Sequence, residues 1–275
     1  MIDLVSKSRC FDGEQRVYAH RSAALASTMR FSVYAPARPS GAALFWLSGL
    51  TCTEENFPTK AGAQARASAL GMTIIAPDTS PRGADVAGDP DGAWDFGLGA
   101  GFYVDATEQP YAAHYQMRRY VEEELFSIAI AALGADPARI GIFGHSMGGH
   151  GALTIGLRNP AKFRSLSAFA PIASPMRAPW GLKALSRFLG EDRARWRQYD
   201  ACALIEDGAR APEILVDQGL SDAFLEKQLM PHLLEEACAR AGQKLNLRRR
   251  DGFDHGYYFI QSFIAEHLDW HAARL

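Results

Sequence analysis

Short, almost uninterrupted apolar runs recur along this chain, and they set its fold class. Residues 43–49 read ALFWLSG and residues 72–78 read MTIIAPD; RIGIFG, SLSAFAPIAS and EILVDQG repeat the theme further on. A strand with one wet face alternates apolar and polar side chains, whereas a run without alternation needs cover on both faces. That cover comes from stretches of helical pattern between the runs: an alanine-rich crossover over 59–70, then about 111–133, 148–158, most of 180–208, 224–241 and 257–271. LNLRRR is a last strand between the two late helices. Nearer the start, TMRFSVYAP places Met29, Phe31, Val33 and Ala35 on one face before Pro36 ends the run. Strands alternating with helices predict an α/β protein, a three-layer α/β/α sandwich with a mostly parallel central sheet.

Residues 78–102 break the pattern. They are rich in Gly, Asp and Pro with several aromatics, as expected of a long structured loop that carries function. No repeat, heptad run or low-complexity linker divides the chain. The expectation is one domain over 1–275, with an active-site loop near 79–104 and a helical insertion near 175–208.

Composition narrows the function classes. At 48% hydrophobic residues the 275-residue chain can build its core without disulfides, and its four cysteines form no CxxC pair. A net charge of -2, from 29 Lys+Arg against 31 Asp+Glu, gives no basic field for nucleic acid or anionic membrane. No stretch reaches the roughly 20 apolar residues of a membrane span, and the N-terminus lacks the apolar core of a secretory signal. The chain reads as soluble and cytoplasmic.

The string ARIGIFGHSMGGHGAL puts Gly144-His145-Ser146-Met147-Gly148 between an apolar strand and a helix. GxSxG is a weak signal alone and a strong one in this setting. Glycines two residues either side of Ser146 clear a tight turn that would raise its hydroxyl above the strand end. The helix starting there directs free N–H groups at developing negative charge, and the Met147 N–H is one natural oxyanion donor. His145 and His150 read as positional or packing residues. A phosphate loop needs GxxxxGK[ST], which is absent.

A serine needs a base, and the base needs an orienting acid. In α/β hydrolases these follow the serine in the order acid, then histidine. His255, in RRRDGFDHGYYFI, sits where a loop can reach over the sheet edge. His267 and His271 share a helix face without further ligands and read as a solvated face. In EILVDQGLSDAFL both Asp217, at the strand end, and Asp222, in the loop, qualify as the acid; local reasoning leans to Asp222 without settling it. The loop after the early central strand, Leu47 to Thr53, offers the Leu50 N–H as second oxyanion donor. Cys52 lies close enough to line the pocket, while Cys10, Cys202 and Cys238 read as small hydrophobes. Arg248-Arg249-Arg250 reads as a salt-bridged or solvated strand edge, or as a contact for a substrate carboxylate. Asp85, Asp89, Asp91 and Asp95 do not match calcium-loop spacing.

With these residues in hand, the chain resembles the S-formylglutathione hydrolase (esterase D) family of α/β hydrolases over nearly its whole length. LSGLTCTEENF is similar to the family's oxyanion loop and GDPDGAWDFGLGAGFYVDAT to its long active-site loop. GHSMGGHGAL is similar to its nucleophile elbow, PWGLKALSRFLG to the segment beside the acyl pocket, and DQGLSDAFL and DHGYYFI to its acid and base loops. The resemblance implies Ser146 as nucleophile, Asp222 rather than Asp217 as acid, and His255 as base. It implies Leu50 and Met147 as backbone donors, and places Cys52 beside the triad without membership in it. Trp94 and Trp180 are expected to line the small acyl site with Cys52. The implied substrate is the thioester S-formylglutathione, with no cofactor or metal, no nucleic-acid or membrane partner, and a homodimer or higher homo-oligomer as the assembly. A short-chain carboxylesterase on the same triad is the alternative. Gly256 after His255, where members often carry serine, and Gly92-Ala93 before Trp94 depart from the family's pattern and bear on substrate preference more than on reaction class.

Overall fold

The computed structural model describes residues 2–275. One nine-stranded sheet runs through it: β1 (Asp3–Cys10), β2 (Gly13–Arg21), β3 (Thr28–Ala35), β4 (Ala43–Leu47), β5 (Thr73–Pro77), β6 (Ile140–His145), β7 (Ser165–Phe169), β8 (Ile214–Gly219) and β9 (Leu245–Arg250). Their spatial order is β1-β2-β3-β5-β4-β6-β7-β8-β9. The first four in that order pair antiparallel; from β5 to β9 every pairing is parallel. The central strands β4 to β8 are buried along their full length, as strands covered on both faces must be.

The helices are α1 (Asn56–Lys60), α2 (Gln64–Leu70), α3 (Met117–Arg119), α4 (Phe126–Ala131), α5 (Met147–Arg158), α6 (Pro179–Leu189), α7 (Arg193–Trp196), α8 (Ala201–Glu206), α9 (Pro231–Ala241) and α10 (Tyr257–Ala272). A π-helical stretch, Tyr120–Leu125, joins α3 to α4. β7 shows the layering directly. Leu166 meets α5 at Gly156, while Ser165 and Ser167 bond histidines of α10 on the other face. With α2 beside α10 and α8 outside α5, this is the expected three-layer α/β/α sandwich, an α/β-hydrolase fold. Among the described residues no helix is long and apolar enough to cross a membrane.

Three features differ from the sequence reading. β1 and β2 add an N-terminal hairpin that the apolar pattern did not reveal, because β1 is exposed along nearly its whole length. The crossover over 59–70 is two short helices, broken where Gly62 takes a left-handed φ of 67°. The helix expected over 224–241 is interrupted at Met230, left-handed and followed by Pro231, which disfavours helical geometry in the residue before it.

Candidate active site

The parallel strands end at one edge of the sheet, and the loops leaving β4, β6, β8 and β9 supply the site. After β6 the chain turns so sharply that Ser146 adopts φ 58°, ψ -119°, a strained conformation for a non-glycine residue. The strain is held from both sides. The Ser146 N–H donates to Phe169 O at 3.0 Å, and its carbonyl accepts from His150 N at 2.9 Å and Ile172 N at 3.2 Å. The flanking glycines serve the close approach foreseen from sequence. A Cβ on Gly148 would stand 1.9 Å from Leu47 O, and one on Gly144 would stand 2.3 Å from Gly148 O.

The loop after β4 runs against this turn. A Cβ on Gly49 would meet Ser146 Cβ at 3.2 Å, so the bare Cα lets the backbone at Leu50 lie beside the serine. Met147 opens α5 and its N–H has no intrahelical acceptor; among the described residues no backbone carbonyl accepts from Leu50 N–H either. The loop is braced from outside. Tyr103 Oη donates to Ser48 O at 2.9 Å, Thr51 N donates to Gly99 O at 2.8 Å, and Thr79 Oγ1 donates to Cys52 O at 2.5 Å. Thr51 itself has φ 67°, a second strained residue next to the candidate oxyanion donors.

The loops after β8 and β9 bring Asp222 and His255 together: His255 Nδ1 lies 2.6 Å from Asp222 Oδ2. The other oxygen, Oδ1, accepts from Phe224 N at 2.8 Å, so the turn-forming and histidine-facing roles occupy separate oxygens of one carboxylate. Asp217 is elsewhere engaged. Its fully buried side chain pairs with Arg248 and Arg250, and His267 Nε2 lies 3.6 Å from it. Burial opposes its ionised form, yet His267 and Arg248 hold its carboxyl below the usual range.

Ser146 and His255 line one cavity of about 150 Å³ with Gly49, Leu50, Cys52, Trp94, His145, Trp180, Phe224 and Tyr257. With Nδ1 on Asp222, His255 has Nε2 available to a group in this cavity. Trp94 stands edge-on to Trp180 at 5.7 Å, Trp180 contacts Phe224 at 4.8 Å, and Phe224 stands edge-on to His255 at 5.0 Å. Cys52, Trp94 and Trp180 line this cavity, with Trp94 at its rim, 55% exposed. Burial pushes the Cys52 thiol up, with partial relief from Tyr257 and Lys60, so it is not a ready thiolate at neutral pH.

Sequence reasoning passed over Phe224, Tyr257 and His145 as site residues. The first two lie two positions beyond Asp222 and His255, a spacing that could have pointed to them. His145 packs against His255 with ring centroids 4.4 Å apart; burial, and then the His255 charge, push it well below the usual imidazole range. His150 is a packing residue as read: Nε2 bonds Phe102 O at 2.9 Å, and burial takes it down to about 4. His267 and His271 are a correction. Neither is solvated; both are fully buried and share Ser167 Oγ at 2.8 Å, because α10 turns this face onto β7. That second Ser–His cluster has no opening to solvent and cannot receive a substrate. The arginine run is salt-bridged, Arg248 and Arg250 to Asp217 and Glu266, Arg249 to Glu235. In the 79–104 loop Asp89 and Asp95 are taken up by Lys183 and Arg187 of α6.

A family model described as a putative esterase matches residues 22–270. The S-formylglutathione hydrolase of Mus musculus is 50% identical over 277 residues, covering 98% of each chain, and that of Bos taurus is 47% identical with the same coverage. The chain belongs to the S-formylglutathione hydrolase family. The solved S-formylglutathione hydrolase of Agrobacterium tumefaciens superposes with a TM-score of 0.97 at 51% identity, covering 99% of both chains. A fluorophosphonate-binding serine hydrolase of Staphylococcus aureus, FphF, superposes at 0.73 with 14% identity, covering 94% of this chain and 98% of its own, and shares the fold. These relatives and the Agrobacterium structure cover 98–99% of this chain, and the family model begins at residue 22, directly after the N-terminal hairpin.

Proposed function

We propose that the chain is a serine thioesterase that hydrolyses S-formylglutathione to glutathione and formate, the hydrolytic step of formaldehyde detoxification. The observation that carries the mechanism is the 2.6 Å contact of Asp222 with His255 in a cavity that Ser146 shares. Ser146 Oγ attacks the formyl carbon while His255 Nε2 takes its proton; Asp222 fixes the tautomer and stabilises the imidazolium. Leu50 and Met147 N–H groups receive the oxyanion, each such donor contributing about 3 kcal/mol to the barrier reduction. The tetrahedral adduct collapses, the C–S bond breaks and glutathione leaves with the proton from His255. Water, deprotonated by His255, then adds to the formyl-serine, and formate leaves as Ser146 regains its hydrogen. A formyl group carries only hydrogen on its carbonyl carbon, which suits a cavity of about 150 Å³ walled by Trp94, Trp180 and Phe224. The same small apolar cavity admits short aryl esters, the basis for a second reading as a general short-chain carboxylesterase.

The single sheet and shared core support one domain, with the 79–104 loop and the 175–208 helices built over the site. A homodimer or higher homo-oligomer, as the resemblance implies, is the proposed assembly. The test is side-by-side hydrolysis of S-formylglutathione, longer acyl-glutathiones and aryl acetates. A preference for the formyl thioester is expected; an optimum at eight or more carbons would sink the small-pocket reading. Ser146→Ala should lower kcat on the order of a million-fold and abolish burst-phase acylation.

A further inference from the structure

A glutathione thioester carries two carboxylates and one ammonium at neutral pH, so a site that prefers it needs a cation free to meet a carboxylate. Several basic side chains on the loops and elements that build the site are already committed. Arg82 pairs with Asp78, Lys183 with Asp89 and Asp95, Arg187 with Asp89, and Arg248 and Arg250 with Asp217. The arginine run, one candidate from sequence, is therefore spent on the protein itself.

Lys60 is different. It ends α1, the helix that follows directly from the candidate oxyanion loop, and it is exposed. Among the described residues no Asp or Glu pairs with its ammonium; Nζ lies instead 5.6 Å from the ring centroid of Tyr257, which lines the Ser146 cavity. Its charge also reaches the Cys52 thiol in the same cavity. A lysine with a flexible stem, resting on an aromatic ring at the cavity wall, can swing onto an incoming anion without breaking an ion pair.

We propose that Lys60 receives a carboxylate of the glutathionyl group and sets the preference for glutathione thioesters over uncharged ones. This rests on the glutathione-thioester reading above. Lys60 takes no part in bond making; it raises the occupancy of the productive complex through KM.

The test compares kcat/KM for S-formylglutathione with that for S-formyl-N-acetylcysteamine, which presents the same acyl group on an uncharged thiol. Wild type, Lys60→Ala, Lys60→Glu, Lys60→Arg and Lys227→Ala are measured at low salt, with a thermal melt for each. Lys227 is the control because it is an exposed lysine in the π-helical stretch Leu225–Leu229 that, among the described residues, likewise pairs with no Asp or Glu. Wild type should prefer the glutathione thioester. Lys60→Ala should cut that preference about three- to five-fold, mainly through KM, and Lys60→Glu should cut it about ten-fold or more, as an exposed charge contact predicts. Lys60→Arg should retain it, and raising the salt should erode the wild-type preference but not that of Lys60→Ala. A wild-type preference that survives in Lys60→Ala and Lys60→Glu, or is lost in Lys227→Ala instead, overturns the role of Lys60 and leaves the glutathione reading standing. A wild type indifferent to the two thioesters removes both.

Discussion

Asp217 and Asp222 leave the same strand within a few residues of each other, and their neighbours give them opposite tasks. Asp222 presents one oxygen to His255 and one to its own loop. Asp217 faces the guanidinium groups that β9 brings alongside it. Asp222→Asn should therefore lower kcat about 10⁴-fold with little change in melting temperature, because the histidine loses its tautomer and not its place. Asp217→Asn should do the reverse: removing the partner of two part-buried arginines should cost about 2–3 kcal/mol of stability, with kcat close to wild type wherever the protein is folded. Denaturant titrations beside steady-state kinetics on both variants check the pair. Sequence leaned to Asp222 but could not settle the choice locally, since one acid sits at the strand end and the other in the loop just beyond it, and the deciding contacts come from a strand and a loop far along the chain. The serine was legible for the opposite reason. Its turn is built from consecutive residues, and the two glycines that permit it are as much a part of the signal as the serine.

At the scale of elements, the 79–104 loop and α6 act as a pair. Asp89, with a side chain only 1% exposed, takes Arg187 and Lys183 from α6. Burial works against its charge, yet the N–H groups of Asp91 and Ala93 and the Arg187 guanidinium hold its carboxyl below the usual range. The loop carries Trp94 and α6 carries Trp180, so this clamp fixes two walls of the cavity against each other. Asp89→Asn should loosen both. The expected results are faster limited proteolysis within 79–104 and a KM for S-formylglutathione raised about three- to ten-fold, with kcat less affected. An unchanged proteolysis pattern would show that the loop is held by its backbone bonds alone. The loop's existence was readable from its Gly, Asp and Pro content, but its anchoring was not, because acidic residues spaced without a ligand pattern say nothing about which distant helix supplies their cations. The N-terminal hairpin was hidden for a simpler reason: exposed strands such as β1 need no apolar period, and that period is what sequence reading detects.

Across the whole molecule the buried histidines link stability to pH. His20, His145, His150, His267 and His271 all lie inside, and burial lowers each of them; Glu124 pulls the other way for His20 and Asp217 for His267, and for His271 the charges of His267 and Arg274 add to the lowering. Ser165, His271, Ser167 and His267 form a hydrogen-bonded chain running toward Asp217. Such groups are neutral in the fold and titrate near 6.5 once unfolded, so the unfolded chain binds more protons. The stability they contribute is complete above about pH 6.5 and is lost as pH falls toward the folded values. His150, down to about 4 in the fold, gives the clearest window: between about 6.5 and about 4 it alone removes roughly 3 kcal/mol. Reading His267 and His271 as a solvated face missed their share of this, because a neutral imidazole that finds a serine behaves as a core residue. The melting temperature should hold level from pH 8 to about 6.5 and then drop steadily. His150→Gln, which keeps a donor for Phe102 O but cannot be protonated, should flatten part of that drop and reduce proton uptake on unfolding near pH 5 by about one proton. If its melting curve tracked wild type at every pH, His150 would have to be protonated inside the fold, and the core would not be neutral at that position.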